Sequence, residues 1–273
     1  MSRIDAAAIR GALNPASAAK LAQLDVFTEI DSTNAWLMTQ PAPEAGMHRV
    51  AVADHQTAGR GRGGKHWLSS PGSSLCLSIA HAFRERPANM AALTLAVGVA
   101  AVHALRDTGA DDVKLKWPND IVAGDGKLGG MLAESHHRAE ASAAVVIGIG
   151  INLDLPPDIL ARVDPGWAQA PADLESILGR RVAREPLYAG MIDHVVAALS
   201  TFEQQGFGAF ADTWRRYDWL HGRAITIEQP GGTISGTASG IDGDGALLVQ
   251  QAAATTRVIS GSIRVDGIGG AAS

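Results

Sequence analysis

The chain has 273 residues, a formal net charge of −5 and an apolar fraction of 46%. That length suits one large domain, or a large one with a small companion, and the negative balance argues against a general nucleic-acid binder. No apolar run reaches membrane-spanning length, the N-terminal stretch lacks a signal-peptide pattern, and the single Cys76 excludes an intramolecular disulfide, so the expected location is cytoplasmic with no membrane partner.

Residues 1–24 are alanine-rich and read as partly helical, too short for a DNA-reading helix-turn-helix with a wing. Val26–Ile30 alternates like a strand. Ser32 or Thr33 then suits the N-cap of a helix through Met38. Ser32, Thr33 and Asn34 have two open readings at this point: capping groups, or small polar groups gripping a polar ligand. Residues 49–55 and 74–80 read as strands, and between them lies QTAGRGRGGKHWLSS (56–70). Its glycines permit close backbone approach, and Arg60 and Arg62 bring forks of donors that suit phosphate or carboxylate. Leu75, Leu77 and Ile79 make an apolar face. Cys76, Ser78 and Ala80 make a small-residue face with room for a ligand or a close-packed helix.

Residues 89–107 read as a helix apolar nearly all round, hence buried, with Gly109 after it. Val113, Leu115 and Trp117 alternate with Lys114 and Lys116 as in a half-buried strand. Gly124-Asp125-Gly126 reads as a hairpin turn, and Lys127 leaves it into LGGMLAE. On local evidence Lys127 is a turn lysine, and Asn119 and Asp120 are turn formers after Pro118. Residues 143–153 form an apolar strand whose Gly148 and Gly150 suggest a surface against which something packs. A proline-containing loop carrying Trp167 follows. Helices are expected over 172–178, 186–205 and 207–217, the second with Leu187, Met191, Val195, Leu199 and Phe202 on one stripe. From His221 short alternating segments read as a small β-barrel or sandwich of about fifty residues.

No G-x-S-x-G or Walker loop occurs, and the nine histidines are scattered without a partner pattern. What remains is two glycine-rich loops with two arginines and a lysine. That set suits electrostatic work on a phosphoryl or acyl-phosphate group without a protein nucleophile.

Asp31 with STN (32–34), QTAGRGRGGKHW (56–67), KWPNDI (116–121), GKLGGMLAE (126–134) and IGIGIN (147–152) resemble, in order and spacing, the biotin protein ligase family. The resemblance extends to SGIDGDGALLV (239–249) and covers roughly residues 25–266. It implies an α+β fold: a mixed β-sheet with packed helices, followed by a small SH3-like β-barrel. The domains implied are a short N-terminal segment (1–24), a catalytic domain (25–219), the barrel (220–266) and a disordered tail (267–273). The implied activity is ATP-dependent formation of biotinyl-5′-AMP, then transfer of biotin to a lysine of the biotin carboxyl carrier protein of acetyl-CoA carboxylase. A lipoate or other acyl-acid protein ligase of the same fold is the alternative. ATP and biotin are substrates, Mg²⁺ is expected, and the metal ligands are not specified. Absence of the N-terminal winged helix speaks against a DNA partner, and a homodimer through the central sheet is implied.

Residue by residue, the resemblance assigns Lys127, Arg60 and Arg62 to catalysis. Ser32, Thr33, Asn34, Gln56, Arg60, Gly61, Arg62, Lys127, Gly130 and Asn152 would bind biotin. Arg60, Arg62, Asn119, Asp120, Asn152 and Trp167 would bind the adenylate, with Trp167 covering it. Lys65 stands where the family commonly has arginine, which keeps the charge and loses the bidentate fork. The loop at 56–70 is expected to be mobile before ligand arrives and to close with the Trp167 loop.

Overall fold

The computed structural model describes residues 4–136, 144–163 and 169–268. Trp167 and most of the expected tail lie outside the described residues. Two short helices come first, α1 (Ala6–Ala12), capped by Asp5, and α2 (Pro15–Lys20), capped by Asn14. Ile9 of α1 is fully buried. Strand β1 (Leu21–Ile30) begins earlier than the alternation at Val26 suggests, so the boundary drawn after residue 24 runs through it. Helix α3 (Thr33–Thr39) follows, then β2 (His48–Gln56). The glycine–arginine stretch forms a small ribbon of β3 (Gly59–Arg60) and β4 (His66–Trp67), closed by a tight turn with Gly63 and Gly64 at φ 63° and 76°.

Next come β5 (Ser74–Ala82), α4 (Leu93–Arg106), β6 (Val113–Lys116), β7 (Asp120–Ala123), β8 (Gly126–Ser135) and β9 (Ala144–Asn152). A short helix α5 (Pro157–Leu160) lies in what reads as an irregular loop. Helices α6 (Leu174–Leu178), α7 (Arg184–Gln205) and α8 (Gly208–Tyr217) match the expected trio, with shifted starts. All five residues of the α7 stripe are buried.

The central sheet has seven strands in the order β1-β2-β5-β9-β8-β7-β6; β1 and β2 are parallel and the other neighbours antiparallel. One face carries the main core: Leu75, Leu77 and Ile79 pack with the buried faces of α4 and α7. Burial of each such aliphatic side chain contributes about 1.5–3 kcal/mol. Gly98 in α4 belongs to this layer, since a Cβ there would sit 3.1 Å from Leu115 Cδ2. The opposite face carries a much smaller cluster, where Leu37 of α3 packs on Ala51, Ala80 and Val146. The small-residue face of β5 therefore receives a helix at Ala80 and an open cavity at Ser78.

The C-terminal part holds β10 (Ala224–Gln229), β11 (Gly232–Ile241), β12 (Leu247–Gln250), β13 (Thr255–Val258) and β14 (Ser262–Val265). They form an antiparallel sheet in the order β13-β12-β11-β10-β14, consistent with an SH3-like domain. The sheet does not close on itself: the chain crosses from β13 at one edge to pair β14 with β10 at the other. One buried indole ties this sheet to the rest, and a second fixes the chain just before β10. Trp117 donates to the Gly245 carbonyl at 2.9 Å, and Trp219 donates to the Gly124 carbonyl at 2.8 Å.

Candidate active site

A cavity of about 760 Å³ opens on the face of the central sheet that α3 covers only in part. It gathers every residue that the sequence assigns to binding or catalysis and that lies among the described residues. Its floor is a chain of polar groups. Ser32 caps α3, accepting from Ala35 N at 3.3 Å, so the capping reading holds while the residue also lines the cavity. Gln56 Oε1 accepts from Thr33 N at 2.8 Å and lies 3.0 Å from Thr33 Oγ1. Thr33 Oγ1 lies 2.7 Å from Ser78 Oγ, and Ser78 Oγ donates to Asn34 Oδ1 at 2.6 Å. Asn34 Nδ2 donates to Glu134 Oε2 at 2.9 Å, and Glu134 pairs with Arg60. The network thus runs unbroken from Gln56 at the end of β2 to Arg60 in the ribbon. Such linked hydrogen bonds hold one another in place in a low-dielectric setting.

The glycines of β9 make this floor possible. A Cβ on Gly148 would sit 2.5 Å from Asn34 Oδ1, and one on Gly150 would sit 2.6 Å from Trp67 Cε2. Asn34 and the Trp67 ring therefore rest directly on the backbone of the sheet. Gly129 serves the adjoining strand, where a Cβ would meet the Gly150 carbonyl at 2.5 Å. Gly130 has only ordinary contacts, 3.4 Å from Asp120 Oδ1.

The facing wall is cationic. Arg62 Nη1 donates to Asn119 Oδ1 at 3.1 Å, and Asn119 Nδ2 is fixed by the Met131 carbonyl at 2.8 Å. Lys127 Nζ donates to Asp120 Oδ1 at 2.7 Å. Lys127 is no free turn lysine: its backbone pairs with Ala170 and Ala172, and Asn152 donates to the carbonyls of Lys127 and Ala172 at 3.3 and 3.0 Å. Asn152 lines the cavity, and its Nδ2 also fixes the backbone that carries Lys127. Burial lowers the Arg62 pKa, with Asp120 pulling the other way.

The sequence reading left out several residues that the fold brings here. Alternation puts Lys116 on the polar side of a half-buried strand, yet it is 5% exposed and donates to Gln169 Oε1 at 2.8 Å. Burial moves its pKa down to about 8, Asp120 opposes that shift, and Lys127 and Lys65 add to it. Trp67 and Glu134 stood inside quoted motifs without a role, and Ser78 was a small residue on the correct face. Glu228 and Arg264 reach the cavity from the C-terminal sheet, a contact that local patterning does not carry. Six cationic side chains, Arg60, Arg62, Lys65, Lys116, Lys127 and Arg264, thus line the cavity that also holds Asp120 and Glu228. The excess of positive charge calls for an anionic ligand.

Comparison with known proteins agrees. Residues 26–152 match the Biotin/lipoate A/B protein ligase family, and residues 220–265 match the Biotin protein ligase C terminal domain. The chain is 35% identical to the bifunctional ligase/repressor BirA of Escherichia coli, over 85% of this chain and 72% of that protein. It is 32% identical to the biotin–[acetyl-CoA-carboxylase] ligase of Mycobacterium tuberculosis, over 88% of both chains. The biotin protein ligase of Aquifex aeolicus, solved in complex with biotin and ATP, superposes with a TM-score of 0.77 at 26% identity, covering 90% of this chain and all of that one. On the order of its motifs, the geometry of the cavity and these matches, the chain belongs to the biotin protein ligase family.

Proposed function

We propose that the chain joins biotin to protein in two steps at this one cavity. A biotin carboxylate oxygen attacks the α-phosphorus of ATP, the bond to the bridging oxygen breaks, and pyrophosphate leaves. The amine of a carrier lysine, having lost its proton, then attacks the acyl carbon of biotinyl-5′-AMP, and AMP leaves. The observation that carries this reading is the cationic wall of Arg60, Arg62 and Lys127 facing a polar floor of Thr33, Asn34 and Gln56 across a single cavity.

Ser32, Thr33, Asn34 and Gln56 offer the donors and acceptors that a ureido ring requires. Gly61 and Gly130 leave room for the ligand chain. Arg60, Arg62 and Lys127 hold the carboxylate and phosphates and offset charge as it develops. Asn119 and Asp120 act beside the phosphates, and Asn152 lines the same pocket beside biotin and the adenylate. Trp167 is assigned to cover the adenine and keep water from the mixed anhydride.

Among the described residues, no three His, Cys, Asp or Glu side chains gather as a metal set. The cavity carboxylates Asp120 and Glu228 are each engaged by a cation. These residues do not fit a resident metal, so Mg²⁺ is read as arriving on ATP, and no step is routed through it. The acceptor is read as the carrier domain of acetyl-CoA carboxylase. No helix is long and apolar enough to cross a membrane. A cytoplasmic location, pairing of two chains through the central sheet and lack of operator binding complete the reading. Sedimentation with and without biotin and ATP tests the pairing, and a gel shift tests the last point.

Pyrophosphate release from ATP tests the first step: it should depend on biotin and not on lipoate. Release that lipoate supports better would make the chain a lipoate ligase of the same fold.

A further inference from the structure

Helix α7 lies on the far side of the central sheet from the cavity, yet its first turns grip the strand that leads into it. Arg184 Nη1 lies 2.5 Å from Asp54 Oδ1, both side chains being mostly buried. One turn later, on the same face of the helix, the Tyr188 hydroxyl donates to the Ala53 carbonyl at 3.2 Å and accepts from Cys76 N at 3.2 Å. Tyr188 is fully buried. Burial pushes its pKa up, so the hydroxyl keeps its proton and remains a donor.

The place of this bridge matters. Ala53 and Cys76 are the last pair joining β2 to β5. Beyond them β2 runs on beside β1 alone, with His55 opposite Glu29 and Gln56 opposite Ile30. Gln56 ends the strand, holds Thr33 through its side chain, and is tied at its backbone to Ser69 Oγ at 3.1 Å. The point at which β2 parts from β5 therefore sets where Gln56 enters the cavity.

We infer that Tyr188 and Arg184 are positioning residues that clamp β2 at Ala53 and Asp54 and so place Gln56 for biotin. The inference rests on the ligase reading above. Neither side chain lines the cavity, so any effect on ligand must pass through β2.

Tyr188→Phe keeps the ring and removes the bridging hydroxyl. Loss of one such bond corresponds to about a threefold to tenfold change. The KM for biotin should rise by that factor, while the KM for ATP and kcat change less than about twofold. Arg184→Lys, which keeps charge but loses the fork, should move biotin KM in the same direction. In a double-mutant cycle, Tyr188→Phe should add little to Gln56→Ala, because both act on the same contact. A purely structural role would lower Tm and the active fraction and leave biotin KM alone. That result, or full additivity with Gln56→Ala, would overturn the clamp. A wild-type protein that forms no biotinyl-adenylate would overturn the ligase reading and this inference together. An active wild type with an unshifted Tyr188→Phe overturns this inference alone.

Discussion

Replacing Lys127 by alanine should cut adenylate formation by about a hundredfold to several thousandfold. Lys127 Nζ lies 2.7 Å from Asp120 Oδ1, and the two side chains are 31% and 21% exposed. Two losses combine. A charge-assisted hydrogen bond to a reacting oxyanion contributes about 1.5–3 kcal/mol. The freed Asp120 carboxylate then faces the same oxyanion. At about 5 Å and an effective dielectric near 20 the repulsion is about 3 kcal/mol, and exposure to water reduces it to about 1–2 kcal/mol. The sum is about 2.5–5 kcal/mol in kcat/KM for biotin-dependent pyrophosphate release. The repulsive part has its own signature: adding Asp120→Asn to Lys127→Ala should recover about fivefold to thirtyfold. A Lys127→Ala enzyme within tenfold of wild type, or a double variant no better than the single one, would refute the reasoning.

Arg62→Ala should speed dissociation of biotinyl-adenylate more than it weakens free biotin, since the phosphate exists only in the adenylate. Equal losses, measured by stopped-flow release and equilibrium binding, would contradict its phosphate role. Gly150→Ala puts a Cβ 2.6 Å from Trp67 Cε2, so the ring must leave the sheet, and biotin KM should rise about tenfold or more. An unchanged KM would show that Trp67 does not shape the pocket. Acid stability should also respond to a buried pair remote from catalysis. His48 and His81 lie opposite each other on β2 and β5, and burial lowers both pKa values from 6.5 to about 4. Between those values the unfolded chain binds more protons than the folded one, so stability falls as pH drops from 6.5 toward 4. His81→Phe should flatten that slope by about one proton, and denaturant titrations at several pH values with an unchanged slope would count against it.

Much of this site was readable from residue order because its parts are local. The STN junction, the glycine–arginine ribbon and the KWPND and GKLGG segments each carry their function within a few residues. The stripe of α7 and the two faces of β5 follow from periodicity alone. What could not be read depends on contacts between distant segments. Nothing near Glu134 announces that Arg60 and Asn34 will meet at it. Alternation placed Lys116 at the polar side of its strand, but the segment bearing Gln169 covers that side and buries it. Tyr188 reads as one more apolar position on a buried helix until the fold sets its hydroxyl between Ala53 and Cys76. The start of β1 at Leu21 was missed because an alanine-rich lead-in hides the strand pattern. Alternation in the C-terminal segments reads as a barrel or a sandwich alike, since alternating segments fix strands without fixing which edges meet.

The glycine–arginine ribbon is also expected to be mobile in the empty site and to close when the adenylate forms. Hydrogen exchange across residues 56–70 should slow on addition of biotin and ATP together, more than with either alone. Equal exchange in all states would remove the lid role and leave anion binding intact.

The central claim is that one cavity both activates biotin and passes it to a carrier lysine. The most direct measurement incubates the protein with ATP, labelled biotin and an intact biotin carboxyl carrier domain, then maps the label by peptide mass analysis. The account predicts label on one lysine of the carrier, dependent on ATP and lost in Lys127→Ala. Unlabelled carrier, or label scattered over many lysines at a rate independent of the enzyme's carrier contact, would contradict it.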